Sequence, residues 1–187
     1  MKKLVVFCFI TFASLGALHA QSYWSYDDHG LSLKMPEISL ISVMPANYTV
    51  NLSLGLPDRA GDKPGETGDS KDDNTWLNYS CSRKYRGSFK KVYAQITSGS
   101  VPDGLAVNLE VKNLQQNGRG TWGRRYSNSI TLSNQPQVVV HRIGGGCTRR
   151  GTSFGHQLIY ELKLTDIDQL VVDDDKTYLT ITYTISD

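Results

Sequence analysis

The sequence predicts an all-β protein, an antiparallel immunoglobulin-like β-sandwich of about eight or nine strands. Apolar and polar residues alternate with a period of two in many short runs, as in strands that bury one face. Turn-forming residues separate these runs at intervals typical of sandwiches and barrels. No window combines the apolar spacing, caps and length of a helix of ten or more residues. A closed barrel is the alternative, because strand counting does not distinguish it from a sandwich.

The candidate strands follow one another along the chain. Most are marked by apolar residues at alternate positions, and one is a β-branched run. In chain order they cover residues 31–35, 48–54, 77–81, 92–96, 105–111, 130–132, 137–143, 158–164 and 179–185. Turns are predicted at 57–58, 102–104, 117–118 and 173–175, and the polar stretch 58–74 predicts a surface loop.

The first twenty residues have the layout of a secretory signal peptide. Lys2 and Lys3 supply a positive start, an apolar stretch follows at 4–15, and the small Ala20 precedes a cleavage site. We therefore expect residues 1–20 to be removed and residues 21–187 to form one exported domain, in the periplasm, at the cell surface or outside the cell. The apolar stretch is too short for a transmembrane helix, and no membrane span is predicted.

Removal of this peptide leaves two cysteines, Cys81 and Cys147. In an oxidising compartment two thiols are expected to form a disulfide bond. A bond that closes so long a loop stabilises a domain by about 4 kcal/mol in the chain-entropy model. We predict that it joins the two sheets; free or metal-bound thiols are the alternatives.

Charge is strongly segregated along the chain. Residues 21–80 carry 4 basic and 9 acidic side chains, residues 81–150 carry 12 and 2, and residues 151–187 carry 2 and 7. A basic middle third favours association with polyanions or with the acidic part of a neighbouring copy. The alternative is that folding interleaves the segments and evens out the surface.

The stretch G-G-G-C-T-R-R-G-T-S-F-G-H at 144–156 contains three patterns that resemble catalytic motifs. G-T-S-F-G matches the nucleophile elbow of serine hydrolases, but a strand-like run follows it and no histidine comes after His156. A phosphatase loop fails because Ser153 stands where its arginine is needed, six residues after Cys147. The glycine run lacks the lysine and helix of a phosphate-binding loop. We expect a connection between strands, no enzymatic activity and no cofactor; a hydrolase that uses Ser153 is the minor alternative.

Two acidic stretches, 58–74 and 166–175, offer the oxygen ligands that calcium prefers. Their spacing matches neither an EF-hand nor a tandem calcium repeat. No metal site is therefore predicted.

Basic and aromatic residues are the candidate contacts for a ligand or partner. Trp122 lies in a glycine- and arginine-rich stretch, where an exposed ring stacks readily on a sugar. A disulfide would bring the basic stretches after Cys81 and Cys147 together as an anion-binding rim. The expected ligand is an acidic polysaccharide or an acidic segment of another subunit; nucleic acid is not expected outside the cell. The candidate residues are Arg83, Lys84, Arg86, Trp122, Arg124, Arg125, Arg149 and Arg150.

The segments G-L-S-L-K-M-P-E-I-S-L at 30–40 and T-Y-L-T-I-T-Y-T-I-S-D at 177–187, in an exported all-β chain, resemble bacterial surface-fibre subunits of the pilin type. The resemblance is one of layout across residues 21–187. It implies an immunoglobulin-like fold and an alternating N-terminal extension donated to a neighbour as a strand, with Leu31, Leu33 and Met35 as the donated side chains. The chain departs from the glycine-and-tyrosine ending of these pilins, because its last glycine is Gly155.

The expected function is therefore that of a non-enzymatic structural or adhesive protein, as a subunit of a surface fibre. Its partners would be copies of itself or other fibre subunits. The alternative is a carbohydrate-binding module that recognises an acidic glycan.

Overall fold

The structure is a computed structural model that describes residues 27–55, 57–64, 70–114, 118–171 and 176–187. Internal contacts divide the chain into two units, Met1–Met35 and Pro36–Asp187. In the first unit, residues 27–35 have no regular secondary structure, and the predicted signal peptide lies outside the described residues. In the second unit, the described residues form strands and loops. No helix in the described ranges is long and apolar enough to span a bilayer.

Among the residues that the structure describes, eleven strands form two antiparallel sheets. They are β1 (Ser39–Met44), β2 (Lys71–Cys81), β3 (Lys90–Ser98), β4 (Leu105–Val111), β5 (Arg119–Gly120), β6 (Arg124–Arg125), β7 (Ser129–Thr131), β8 (Gln137–Ile143), β9 (Gly146–Cys147), β10 (His156–Leu164) and β11 (Thr180–Ser186). The larger sheet has the order β5-β9-β2-β10-β4-β7 with β1 also on β2, and the smaller has the order β11-β3-β8-β6. Eight strands have three or more residues, and the other three have two. The predicted antiparallel β-sandwich is confirmed.

The core lies between the sheets and is formed by alternate residues of the predicted runs. Leu77 on β2 and Leu158 on β10 are fully buried, and β8 buries Val139 and Val140 in succession. Each such side chain contributes roughly 1.5–3 kcal/mol on burial. The inward-facing residues of β3 and β4 are Val92, Ala94, Ile96, Val107, Leu109 and Val111.

Four local predictions differ from the structure. The predicted strand at 31–35 is absent, because these exposed residues have no regular secondary structure. β1 was not predicted as a separate strand, and residues 48–54 form none, although Val50 and Leu52 still pack against the core. β2 begins at Lys71, inside the predicted loop 58–74. The buried Asp72 explains this, because its carboxylate accepts a hydrogen bond from the Tyr48 hydroxyl at 2.6 Å and so meets the cost of burial.

The predicted turn at 102–104 is confirmed. The Leu105 N–H donates to the Pro102 carbonyl oxygen at 3.2 Å. Gly104 has a φ of 78°, which favours glycine at this position of the turn. The turn at 173–175 lies outside the described residues, as does Asn117 of the turn at 117–118.

The predicted disulfide is absent, since Cys81 and Cys147 are free thiols. The register of β2 and β9 places Cys147 opposite Ser80 and Cys81 opposite Gly146. Because side chains alternate between the faces of a sheet, the two thiols point to opposite faces. Cys81 faces the core, where its S–H donates to the Gly144 carbonyl oxygen at 2.9 Å and burial raises its pKa. The prediction was wrong because sequence spacing does not fix register.

A buried lysine joins the start and the end of the second unit. Lys90 on β3 has a side chain that is 7% exposed, and its Nζ lies 2.5 Å from Glu37 Oε1 and 3.4 Å from Asp187 Oδ1. The hydrogen bond with Glu37 raises the pKa of Lys90, which keeps the ammonium charged. A buried cation needs such partners.

Candidate ligand-binding cleft

A two-stranded ribbon connects the two sheets at one corner of the sandwich. Residues 119–125 form one side, with β5 paired to β9 in the larger sheet and β6 paired to β8 in the smaller sheet. Residues 140–147 form the other side. Between the sheets, the Thr121 N–H donates to the Gly145 oxygen and the Gly144 N–H donates to the Thr121 oxygen, both at 2.9 Å. The glycine run 144–146 is thus part of a crossover between sheets.

Close backbone approach explains why glycine is needed in this ribbon. Gly120 has a φ of 82°, and a Cβ there would lie 2.2 Å from the Gly145 carbonyl oxygen. Any larger residue would push the two sides of the ribbon apart. Packing therefore accounts for these glycines.

A cleft of about 450 Å³ opens beside the ribbon. Its volume falls within the range of small-molecule sites in proteins, roughly 300–1,000 Å³. Trp122 is 36% exposed and Phe89 is 41% exposed, so both rings remain partly accessible. The lining residues are Phe89, Gly120, Thr121, Trp122, Arg124 and Arg142.

Arg142 reaches the cleft from a β-bulge in β8. The pairing advances by three residues on β8, from Val140 to Ile143, while β3 advances by two, from Val92 to Lys90. Arg142 lies within this bulge and has a φ of 57°. That left-handed conformation costs a residue other than glycine on the order of 1–3 kcal/mol. Bulges re-aim side chains, and this one explains why a residue of an otherwise buried run lines an open cleft.

Arg83 lies behind the wall of the cleft. Its guanidinium carbon lies 5.0 Å from the centroid of the Phe89 ring, a cation–π arrangement. The same guanidinium packs on Gly144, where a Cβ would lie 2.3 Å from Nη2. Arg83 therefore holds one ring of the cleft without lining it.

A buried chain of hydrogen bonds holds the backbone that carries Trp122. The Gly123 N–H donates to the Tyr79 hydroxyl oxygen at 2.8 Å, and the Tyr79 O–H donates to His156 Nε2 at 3.1 Å. His156 Nδ1 donates to the Lys112 carbonyl oxygen at 2.8 Å. Because a carbonyl only accepts, these bonds assign the neutral histidine protonated at Nδ1.

Burial keeps the two side chains of this hydrogen-bond chain, Tyr79 and His156, neutral. It raises the pKa of Tyr79 above its usual range and lowers the pKa of His156. A Cβ on Gly123 would lie 2.5 Å from Val140 Cγ1, so the backbone between Trp122 and Arg124 sits directly on the core. The cleft is therefore built on a rigid base.

The structure distributes the predicted contact residues over several surfaces. Trp122 and Arg124 line the cleft, and Lys84 and Arg86 are exposed in the loop between β2 and β3. Arg125 is half-buried on β6, and its N–H donates to Asn113 Oδ1 at 3.3 Å.

Arg149 and Arg150 line a separate depression of about 250 Å³, together with Cys147 and residues of β1 and β2. Arg149 lies over the Phe154 ring, 5.7 Å from its centroid. Neither arginine lines the cleft.

The single basic rim predicted around a disulfide does not form. β9 runs antiparallel to β2, so the residues after Cys147 run away from those after Cys81. The Gly151 N–H donates to Asn78 Oδ1 at 2.8 Å, which places this stretch beside Asn78, before the end of β2. Arg83 lies in the other direction along the chain, beyond the end of β2 at Cys81, at a separation from Asn78 on the order of 15 Å at the rise of a β-strand.

The arginines have no acidic partners among the described residues. All nine are described, yet the five ion pairs found there involve only lysines. Between Glu110 and Glu161 the sequence contains no acidic residue. Arg124 and Arg142 are thus available to an external anion.

Three further predictions concern other parts of the chain. Ser153 has a φ of 66°, but both ring nitrogens of the nearby His156 are engaged elsewhere. The described ranges contain no group of three histidine, cysteine or acidic residues placed to hold a metal. The proposed donor side chains Leu31, Leu33 and Met35 are 79%, 82% and 92% exposed.

Comparison with known proteins gave no relatives: no family model, curated protein or solved structure matched the chain.

Proposed function

We propose that this chain is an exported, non-enzymatic structural or adhesive protein that assembles into a surface fibre. The observation that carries this proposal is the exposure of Leu31, Leu33 and Met35, which alternate in a segment without regular structure. Three apolar side chains so exposed favour a partner that covers them. The partner is a second copy of the chain or a related subunit.

Strand edges offer a place for that segment in a neighbouring copy. Within the described residues, β11 pairs only with β3 and β1 pairs only with β2. An unpaired edge is a template for a strand from another chain. An alternating segment added there would place Leu31, Leu33 and Met35 on one face.

Size-exclusion chromatography with light scattering and electron microscopy of residues 21–187 test this assembly. We expect multimers that grow with concentration, and a monomer for the triple variant Leu31→Ser, Leu33→Ser and Met35→Ser. The matched control is Ser32→Thr with Lys34→Gln, which changes the intervening positions and should assemble like the native chain. A native chain that stays monomeric at high concentration and at every salt concentration would overturn the proposal.

A second candidate function is recognition of an acidic glycan, and the cleft favours it. Aromatic rings and arginines without acidic partners line one cavity. A glycan array at low and moderate salt, with Trp122→Ala as the comparison, tests this candidate. Acidic glycans should bind, neutral ones should not, and absence of binding by both proteins would end it.

A further inference from the structure

We infer that the cleft binds one acidic sugar residue, with Arg124 and Arg142 on its carboxylate or sulfate group and Trp122 against its ring. This inference rests on the second candidate function and specifies where the glycan is read. It also adds two residues, Arg142 and Phe89, that sequence reasoning missed.

The two arginines approach the cleft from neighbouring strands. Arg124 on β6 is paired with His141 on β8, and Arg142 is the next residue of β8. Both line the same cavity, and neither forms an ion pair within the described residues. A guanidinium presents planar N–H donors that match a carboxylate or sulfate in two-point contact. Two such groups on the lining of one cavity favour a ligand with an anionic group.

The aromatic residues give the cleft a second kind of contact. Trp122 is 36% exposed on one side of the cavity, and Phe89 contributes a second ring that is backed by Arg83. A sugar ring combines apolar C–H faces with polar edges. A cleft that joins aromatic faces to cations is therefore complementary to an acidic sugar, whereas a simple inorganic anion would leave the rings unused.

Preorganisation distinguishes this cleft from a loose basic surface. The backbone amide between Trp122 and Arg124 is fixed by the buried Tyr79 hydroxyl. Arg142 is held by its bulge in a conformation that glycine or asparagine would adopt at lower cost. Groups fixed before binding lose less conformational entropy when the ligand arrives.

Titration calorimetry with three matched tetrasaccharides tests the inference: one with uronate groups, one with sulfate groups and one neutral. We expect an acidic tetrasaccharide to bind at least tenfold more tightly than the neutral one, and the preferred form identifies the anion. Arg142→Asn, which tolerates the left-handed backbone, Arg124→Gln and Trp122→Ala should each lower the affinity about tenfold or more. Far-UV circular dichroism and a thermal melt verify that each variant is folded.

The control is the double variant Arg149→Gln and Arg150→Gln, which removes two charges from the other depression. It should change the affinity by less than twofold. An equal loss in this control and in the cleft variants would overturn the cleft as the site but leave acidic-glycan recognition standing, because binding would then follow overall charge. Equal binding of the neutral tetrasaccharide would overturn the role of the arginines. No binding of any form by the native protein would end both the inference and the function on which it rests.

Discussion

Two buried tyrosines link the sheets of the sandwich with different chemistry. Tyr79 lies near the end of β2, and Tyr160 lies on β10 opposite Asp72, near the start of β2. Tyr79 on β2 joins a histidine to a backbone amide beneath the cleft, whereas Tyr160 on β10 contacts hydroxyl groups, chiefly that of Tyr183 on β11 at 2.6 Å. Burial raises the pKa of Tyr160 to about 12, so that link stays neutral at ordinary pH. The link beneath the cleft contains His156, an imidazole whose pKa burial lowers from its ordinary value of 6.5. The hydrogen-bond chain beneath the cleft is therefore the one that acid disrupts.

Tyr79→Phe should have the largest effect. It leaves the Gly123 N–H and His156 Nε2 unpaired in the core, and each unsatisfied buried group costs roughly 1–3 kcal/mol. We expect a loss of about 2–4 kcal/mol in the free energy of unfolding, measured by urea denaturation. Tyr93→Phe is the matched control, since Tyr93 is half-buried on β3 and should tolerate the change. Similar losses in the two variants would refute the structural role of the Tyr79 hydroxyl.

Tyr160→Phe should cost less, about 1–2 kcal/mol, because the Tyr160 hydroxyl bonds to other hydroxyls and not to a buried backbone amide or a histidine. The double variant Tyr160→Phe and Tyr183→Phe should be closer to the native protein than the sum of the single changes, because it leaves neither partner unsatisfied. Denaturation of the four proteins in this cycle measures the coupling. Additive losses would mean that the two hydroxyls do not interact.

Acid should lower the free energy of unfolding through His156, beneath the cleft. Burial lowers the pKa of His156 below its ordinary value of 6.5 in the folded state, so below pH 6.5 the unfolded chain takes up a proton that the folded chain does not. The contribution of this residue is therefore complete above pH 6.5 and is lost as the pH falls towards the folded-state pKa. Denaturation at pH 7.5, 6.5 and 5.5 should show a decline in the native protein and in Tyr160→Phe. His156→Gln should flatten it, and an unchanged slope in that variant would contradict the prediction.

Reducing agent should have no effect at all. Cys81 lies two residues from Tyr79 and is a free thiol, so a reductant has no bond to break. We expect the same unfolding midpoint with and without dithiothreitol, and two titratable thiols in unfolded protein of residues 21–187. A disulfide would instead show itself as a loss of about 4 kcal/mol on reduction.

The strands could be predicted because alternate burial is a local property of the chain. The β-branched run at 137–143 coincides with β8, and the alternating runs near 92, 105 and 158 correspond to β3, β4 and β10. Register is not local, because it depends on which residues of a distant strand lie opposite. The pairing of β2 with β9 therefore could not be read from the sequence, and the disulfide and the basic rim failed with it.

The candidate site, like the fold, was predictable only where its signal is local in the sequence. Trp122 and Arg124 stood out because an aromatic residue among glycines and arginines is a local signal of an exposed loop. Arg142 belongs to a run that predicts a buried strand. Its exposure depends on the bulge, which the sequence does not indicate. Tyr79 and His156 are separated by 77 positions, so no window of sequence contains the bond that supports the cleft.

The lysine at the start of β3 has a consequence for engineering. Glu37 and Asp187 both contact Lys90, so the first and last residues of the sandwich lie within reach of one ammonium group. A short glycine–serine linker would span that gap, and the exposed turn at 59–62 offers a surface position for new termini. The sandwich is thus suited to circular permutation, which would keep both sheets and the cleft while omitting the segment before Glu37.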